Sequence, residues 1–199
     1  MAEYADWVTE VSQNIFDVPR VTIISAVRNA AITFCSESLV WIEQLPTLTF
    51  DESQSTYTLD LPYNSVIEKI WTLDGFKKVL DTELNNRRNY RLSSNVIQFV
   101  EPSREYRFQD DQLIAIASLK PSRGSSSCPD FLLEHYFLPI LSKALSNLAS
   151  QPSAEWSTRP DLVALNEARY LEGVKKAISD RNDRLGMPLM PKTTKTYFL

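Results

Sequence analysis

Residues 27–41 have the sequence VRNAAITFCSESLVW, and the change of pattern within this stretch decides the fold. Val27, Ala31 and Phe34 follow one another at spacings of four and three, which places them on one face of a helix. A shorter helix is predicted before it, over about residues 5–16, with Trp7, Val8, Val11, Ile15 and Phe16 on one apolar side. Asp17 is expected to cap the start of the longer helix. Strand-forming residues follow the stretch, so we expect the chain to change from helical to β structure at its end.

The segment from residue 39 to residue 121 shows the two-residue period of half-buried strands. Apolar and polar side chains alternate through residues 56–61, and the β-rich residues 66–73 run into a hairpin signal at Asp74-Gly75. Residues 112–119 are apolar with few charges, which predicts a central strand. Six to eight short strands separated by turns indicate an antiparallel sandwich or barrel.

Two helices are predicted after the strands. The first begins at Pro129-Asp130, with Ser127 as its expected cap, and should be kinked at Pro139. It is apolar over a wide arc, and one of its apolar stripes includes Leu138. The second is expected to begin after Thr158, as its cap, and to end near Arg184. Its predicted core side consists of Ala164, Ala168, Leu171, Val174 and Ile178.

The predicted fold class is therefore α+β. N- and C-terminal helices form a helical bundle, an antiparallel β-sandwich or barrel module is inserted between them, and an extended tail follows. The predicted limits are 1–38 for the N-terminal helices, 39–121 for the β module, 122–184 for the C-terminal helices and 185–199 for the tail.

Composition narrows the classes of function. The chain has 199 residues, 43% of them hydrophobic and 23% charged, as in an ordinary soluble protein. Its net charge of −4 argues against a general nucleic-acid binder, which carries a basic patch. The start has no basic and apolar signal segment, and no apolar run approaches the length of a membrane span. We expect a protein made in a reducing cytosol, with no membrane partner.

The residues that usually carry catalysis are sparse. His135 is the single histidine, which leaves a His-based triad or a zinc site without further members. Cys35 and Cys128 do not make a disulfide framework, and neither has an evident activating partner. The four glycines are too scattered for a phosphate-binding loop. We therefore predict a non-enzymatic protein without cofactor or metal site.

Two other features are candidate contacts. Arg87, Arg88 and Arg91 form a basic cluster that could meet a partner or a DNA phosphate backbone, with a plain exposed hairpin tip as the alternative. Trp156 lies in a linker between two prolines and is expected to anchor it to the bundle or to a neighbouring subunit. Trp41 and Trp71 lie in strand patterns, and both are expected in the core.

The order of these motifs resembles tailed-bacteriophage head-to-tail connector proteins, also called adaptor, neck or head-completion proteins. The resemblance covers most of the chain. It rests on Val27–Cys35 with Val40-Trp41, on Tyr57–Pro62, on residues 66–73 with Asp74-Gly75, on Leu119–Ser122 and on Pro129–Glu134.

This resemblance implies a structural virion protein that forms a ring, usually of twelve copies, between the capsid portal and the tail. The ring extends the DNA channel and gives the tail its attachment surface. The implied partners are the portal protein, tail or nozzle proteins or a second adaptor, further copies of the chain, and viral DNA that passes without sequence-specific binding. The protein is assembled in the host cytoplasm and resides in the virion neck. A carbohydrate- or receptor-binding virion module, with Trp or Tyr exposed on the β face, is the alternative.

The resemblance also implies that an extended C-terminal tail docks on the portal, and a disordered chain end is the alternative. The matching tail residues are Lys192, Lys195, Tyr197, Phe198 and Leu199. The basic residues of the preceding helix match no motif of the family. They are candidate contacts to another subunit or to the portal, and DNA and solvent are the alternatives that they could face. These residues are Lys175, Lys176, Arg181 and Arg184.

Overall fold

The described elements form a mixed α+β fold with four α-helices and several antiparallel sheets, which confirms the predicted class at this level. The computed structural model describes residues 1–49, 51, 54–62, 64–74, 90–99, 112–151 and 160–185. The predicted return strand after Gly75, the cap at Thr158 and the tail lie outside these residues.

The helices come from both ends of the chain and meet around shared aromatic side chains. A short 3-10 helix is followed by α1, α2, α3 and α4, with bounds Tyr4–Trp7, Val8–Asn14, Arg20–Ser38, Asp130–Ala149 and Pro160–Arg184. Phe34 of α2 lies 5.2 Å from Tyr136 of α3 and 6.4 Å from Tyr170 of α4, between ring centroids. On α3, Phe137 stacks on Trp7 at 5.8 Å. The helical core therefore joins residues far apart in sequence.

The predicted helix caps are wrong. Asp17 does not cap α2, because its backbone lies in the left-handed region with φ 64° and Pro19 occupies the N-cap position. The Pro19 carbonyl accepts hydrogen bonds from the N–H groups of Thr22 and Ile23. Ser127, expected to cap α3, lies in a strand instead, and Pro129 is the N-cap there.

Nine described strands pair in antiparallel fashion. Their bounds are Ala2–Glu3 (β1), Ile42–Gln44 (β2), Leu48–Thr49 (β3), Thr56–Thr58 (β4), Ser65–Asp74 (β5), Tyr90–Ser93 (β6), Val96–Phe99 (β7), Gln112–Pro121 (β8) and Ser127–Cys128 (β9). β8 pairs with β2, β3 and β5, which confirms its predicted central position. β4, β7 and β6 form a separate sheet, and β1 pairs with β9. A closed barrel or sandwich is not established by these pairings and stays a prediction.

The kink of α3 is confirmed. Pro139 has no N–H to donate to the carbonyl of His135, and the backbone of Tyr136 departs from helical geometry, with φ −126° and ψ 24°. Gly173 of α4 faces this point, since a Cβ built there would lie 2.8 Å from Cγ of Pro139. Leu138 was expected in an apolar stripe of α3 and is 69% exposed.

The predicted core side of α4 is wrong for three of its five residues. Ala164, Ala168 and Leu171 are exposed, while the buried side chains are those of Asn166, Tyr170, Val174 and Ala177. The buried face lies roughly a third of a turn around the helix from the predicted one. Tyr170 takes the central position: its ring packs against Phe34, and its hydroxyl donates a hydrogen bond to Glu37 at 2.7 Å.

Candidate functional site

Three exposed apolar residues of α4 and one lysine line up along one side of the helix. Ala164, Ala168, Leu171 and Lys175 follow at spacings of four, three and four, which is one face of an α-helix. Leu171 is 49% exposed and the other three residues are exposed as well. We call these four residues the outer stripe. The described part of the chain provides no covering element for it.

The buried side of α4, about a quarter to a third of a turn from the outer stripe, is held by polar contacts. Glu167 accepts hydrogen bonds from Lys143 Nζ at 2.7 Å and from Ser146 Oγ at 3.0 Å, both on α3. The Lys143 ammonium and, to a smaller extent, the Ser146 hydroxyl hold the pKa of the Glu167 carboxyl below its ordinary value of 4.5. With Tyr170 bonded to α2, the helix is fixed on two neighbours. The outer stripe is therefore presented on a rigid support.

A second exposed apolar surface lies between α1 and α2. Phe16 is 72% exposed and Val21 is 79% exposed. Phe16 was expected on the core side of the first helix, but α1 ends at Asn14, and Ile15 takes the buried place with an extended backbone. We call Phe16, Asp17, Arg20 and Val21 the corner, and all four are exposed.

The corner and the outer stripe belong to different helices, the corner to the junction of α1 and α2 and the stripe to α4. α1 and α4 each pack on α2 and on α3, with no extensive contact between themselves. On α3, Phe137 meets Trp7 on the side of the N-terminal helices, while its neighbour Tyr136 donates a hydrogen bond to Asp180 of α4 at 2.9 Å. One chain thus carries two separate apolar surfaces.

Charged residues accompany both surfaces. The corner has Asp17 and Arg20 three residues apart, and α4 has the exposed Glu172 and Lys175 three residues apart. None of these four residues is in a salt bridge within the described part of the chain. Their charges therefore remain available for an external partner.

Arg181 is engaged inside the protein. Its guanidinium donates to the carbonyl of Ser38 at 3.0 Å and to Oδ1 of Asn182 at 2.8 Å, and it lies 5.4 Å from the ring centroid of Trp71. Burial lowers the pKa of Arg181. The residue joins α4 to the end of α2 and to β5, whatever further contact it makes outside the chain.

The remaining candidate residues divide into exposed and undescribed ones. Arg91, Lys175, Lys176 and Arg184 are exposed and thus accessible to a partner. The others lie outside the described residues, and their roles stay predictions: Arg87, Arg88, Trp156, Lys192, Lys195, Tyr197, Phe198 and Leu199.

Trp41, Tyr57, Trp71 and Phe99 do not form an exposed platform. Trp41 is 1% exposed, which confirms its place in the core, and Tyr57 is also buried. Trp71, expected in the core, is only half-buried. Its indole N–H donates to Ser118 Oγ at 2.6 Å, and Lys69 Nζ lies 3.8 Å from its ring centroid. The ring face is therefore occupied by a lysine of the same strand.

A polar cavity of about 440 Å³ lies beside the sheet of β4, β6 and β7. Its lining consists of Thr58, Leu59, Asp60, Leu61, Asn64, Ser65, Ser94 and Asn95. Asn64 and Ser94 adopt left-handed backbone conformations there, with φ 50° and 57°. Sequence reasoning missed this cavity, because its residues come from turns that are distant in the chain.

The two cysteines are buried as free thiols in a non-reactive setting. Cys35 is fully buried and Cys128 is 1% exposed. Burial raises the pKa of Cys35 and raises that of Cys128 to about 12. Since the thiolate is the nucleophile, neither side chain is activated for catalysis.

Among the described residues, no group of three or more His, Cys, Asp or Glu side chains could hold a metal ion. Within the same part of the chain, no helix has the length and apolar character that a bilayer crossing needs. Comparison of the chain with protein-family models and with curated proteins gave no match. The resemblance to phage connector proteins therefore stays a prediction.

Proposed function

We propose that this chain is a structural virion protein that forms a ring between the capsid portal and the tail. The observation that carries the proposal is the outer stripe, an apolar helix face that the described chain leaves uncovered. A single exposed leucine is ordinary on a protein surface. Exposed apolar residues that adjoin one another on a helix face are a candidate contact with another protein.

The architecture fits a connector subunit. Helices from both ends of the chain share one aromatic cluster around Phe34, as expected for a bundle with the β module inserted into its sequence. In this proposal the bundle forms the ring wall, and the β module meets the tail, a nozzle protein or a second adaptor. Viral DNA passes through the lumen without sequence-specific contacts. No chemical step is required of the protein.

The tail beyond Leu185 is proposed to dock on the portal through Lys192, Lys195, Tyr197, Phe198 and Leu199. A segment that orders on contact reaches far at an entropic cost. Deletion of residues 188–199 is expected to abolish portal binding and to leave the thermal unfolding temperature unchanged. Unchanged portal binding by the truncated chain would rule out this role of the tail.

The test of the proposed function is the mass in solution, by light scattering, with and without a purified portal ring. We expect the chain to join the portal at a fixed ring stoichiometry, usually twelve copies in the family it resembles. Absence of binding to the cognate portal would reject the connector function and favour the alternative, a carbohydrate- or receptor-binding virion module.

The alternative, a carbohydrate- or receptor-binding virion module, has one observation in its favour. The cavity beside β4, β6 and β7 is lined by hydroxyl, amide and carboxylate groups that can bind a polyhydroxyl ligand. The buried or lysine-covered aromatic residues of the described strands do not add a stacking platform. Asp60→Ala should remove glycan binding if this function applies, and portal binding should be unaffected.

A further inference from the structure

We propose that neighbouring copies of this chain contact one another head to tail, with the corner of one copy seated on the outer stripe of the next. This inference rests on the proposed ring and names the two surfaces that would build it. A ring of identical subunits needs a heterologous contact, in which two different surfaces of one chain meet. The corner and the outer stripe are two such surfaces.

The placement of the two surfaces suits a closed ring. The short N-terminal 3-10 helix and α4 contact neighbouring residues of α3, through Trp7–Phe137 and Tyr136–Asp180. When the corner of one copy sits on the outer stripe of another, the pair still has one free corner and one free stripe. The contact passes from copy to copy and continues until the rotation closes.

The chemistry of the two surfaces is complementary. Phe16, 72% exposed, is a large projecting side chain, while the stripe has two alanines that leave room beside Leu171. Asp17 can pair with Lys175, and Arg20 can pair with Glu172. Each surface therefore carries one charge of each sign, and two opposite-sign pairs can form in one contact. Interface charges of this kind set orientation and partner choice.

The chain's own tail is a less suitable occupant of the stripe. Its charged residues, Lys192 and Lys195, have the same sign as Lys175 within the stripe. A second copy brings Asp17 to this place instead. A like-charged partner opposes association, and an oppositely charged one favours it.

The test uses two variants of the full chain, Phe16→Glu and Leu171→Glu, and a control, Leu165→Glu. All three side chains are at least 49% exposed, so each variant is expected to fold, which a thermal melt checks. Leu165 lies on α4 about a quarter turn away from the stripe. We expect each of the first two variants to weaken self-association by about 10-fold or more, as measured by sedimentation. The control should associate like the unaltered chain.

Mixing the two variants distinguishes the geometry of the contact. A Phe16→Glu copy retains its stripe and a Leu171→Glu copy retains its corner, so a mixture should form heterodimers that go no further. If stripes met stripes, Phe16→Glu would associate normally, and the inference would be wrong. A charge exchange adds a second readout: Asp17→Lys and Lys175→Asp should each weaken association, and the double variant should restore it.

Other outcomes separate this inference from the proposed function. A chain without residues 188–199 that associates more strongly than the full chain would show that its own tail covers the stripe, which overturns the inference. A chain that stays monomeric both alone and on a portal ring would overturn it as well. If Phe16→Glu or Leu171→Glu binds the portal as single copies, the connector function still stands. If the unaltered chain associates with itself but does not bind the portal, only the connector function is rejected.

Discussion

The crossing of α3 and α4 depends on the absence of a side chain at Gly173. A Cβ at this position would lie 2.8 Å from Cγ of Pro139 and closer still to its Cβ. Both atoms belong to a proline ring, which cannot rotate away as a flexible side chain could. Gly173→Ala should therefore push the two helices apart at the kink of α3.

The magnitude follows from two opposing effects. Overpacking of a filled contact costs about 1–3 kcal/mol, and the rigid ring places this case in the upper half of that range. Alanine gains about 1 kcal/mol over glycine in a helix interior. We expect the free energy of unfolding to fall by about 1–2 kcal/mol, which corresponds to a loss of about 2–8 °C in Tm for a chain of this size.

The assay is urea unfolding followed by circular dichroism, with a thermal melt alongside. Gly124→Ala is the matched control, because no atom lies within 4 Å of a Cβ built at Gly124. That variant should keep or slightly raise the stability. A Gly173→Ala variant as stable as the unaltered chain, or more stable, would refute the packing argument and leave helix propensity as the dominant effect.

Three further predictions concern titratable groups. The pKa of Glu167 is lowered in the folded state, so its stabilising contribution is present above pH 4.5 and is lost as the pH falls through the folded pKa. The difference in free energy of unfolding between the unaltered chain and Glu167→Gln should therefore shrink from pH 7 to pH 3, as measured by urea unfolding at each pH. Tyr136→Phe removes the hydrogen bond to Asp180 and should cost about 1–2 kcal/mol in urea unfolding, whereas an unchanged midpoint would show that the bond contributes nothing. Cys128, whose pKa is raised to about 12, should not react with a thiol reagent at pH 8 until denaturant is added, and rapid reaction of the folded chain would contradict its burial.

The sequence predicted the elements better than the faces they bury. The central strand β8 and the kink at Pro139 followed from local chemistry, namely a long apolar run and a missing N–H. The buried face of α4 did not follow from local chemistry, because the apolar residues of this helix extend around more of it than one core contact can cover. Which part is buried depends on Glu37, the distant acceptor of Tyr170, and no local pattern contains that partner.

The candidate surfaces were predicted only in part. Lys175 was identified as a contact residue, but the apolar neighbours that make it part of a surface were assigned to the core. The corner was missed because Phe16 continues the helical spacing of the residues before it. The early end of α1 depends on the extended backbone of Ile15, whose buried place is set by the tertiary structure. The error on α4 itself revealed the stripe, since residues with core character proved to be exposed.

The aromatic cluster around Phe34 has a consequence for synthesis on the ribosome. The apolar face of α2 is completed by α4, and the contact between Glu37 and Tyr170 spans 133 residues of sequence. At about 5–20 residues per second, translation of that interval lasts roughly 7–27 s. Until α3 and α4 have been made, the nascent chain exposes the apolar face of α2 to solvent and needs protection from aggregation. The outer stripe emerges with α4, so a chain cannot offer it to a neighbour before the helix that completes its own core has been made.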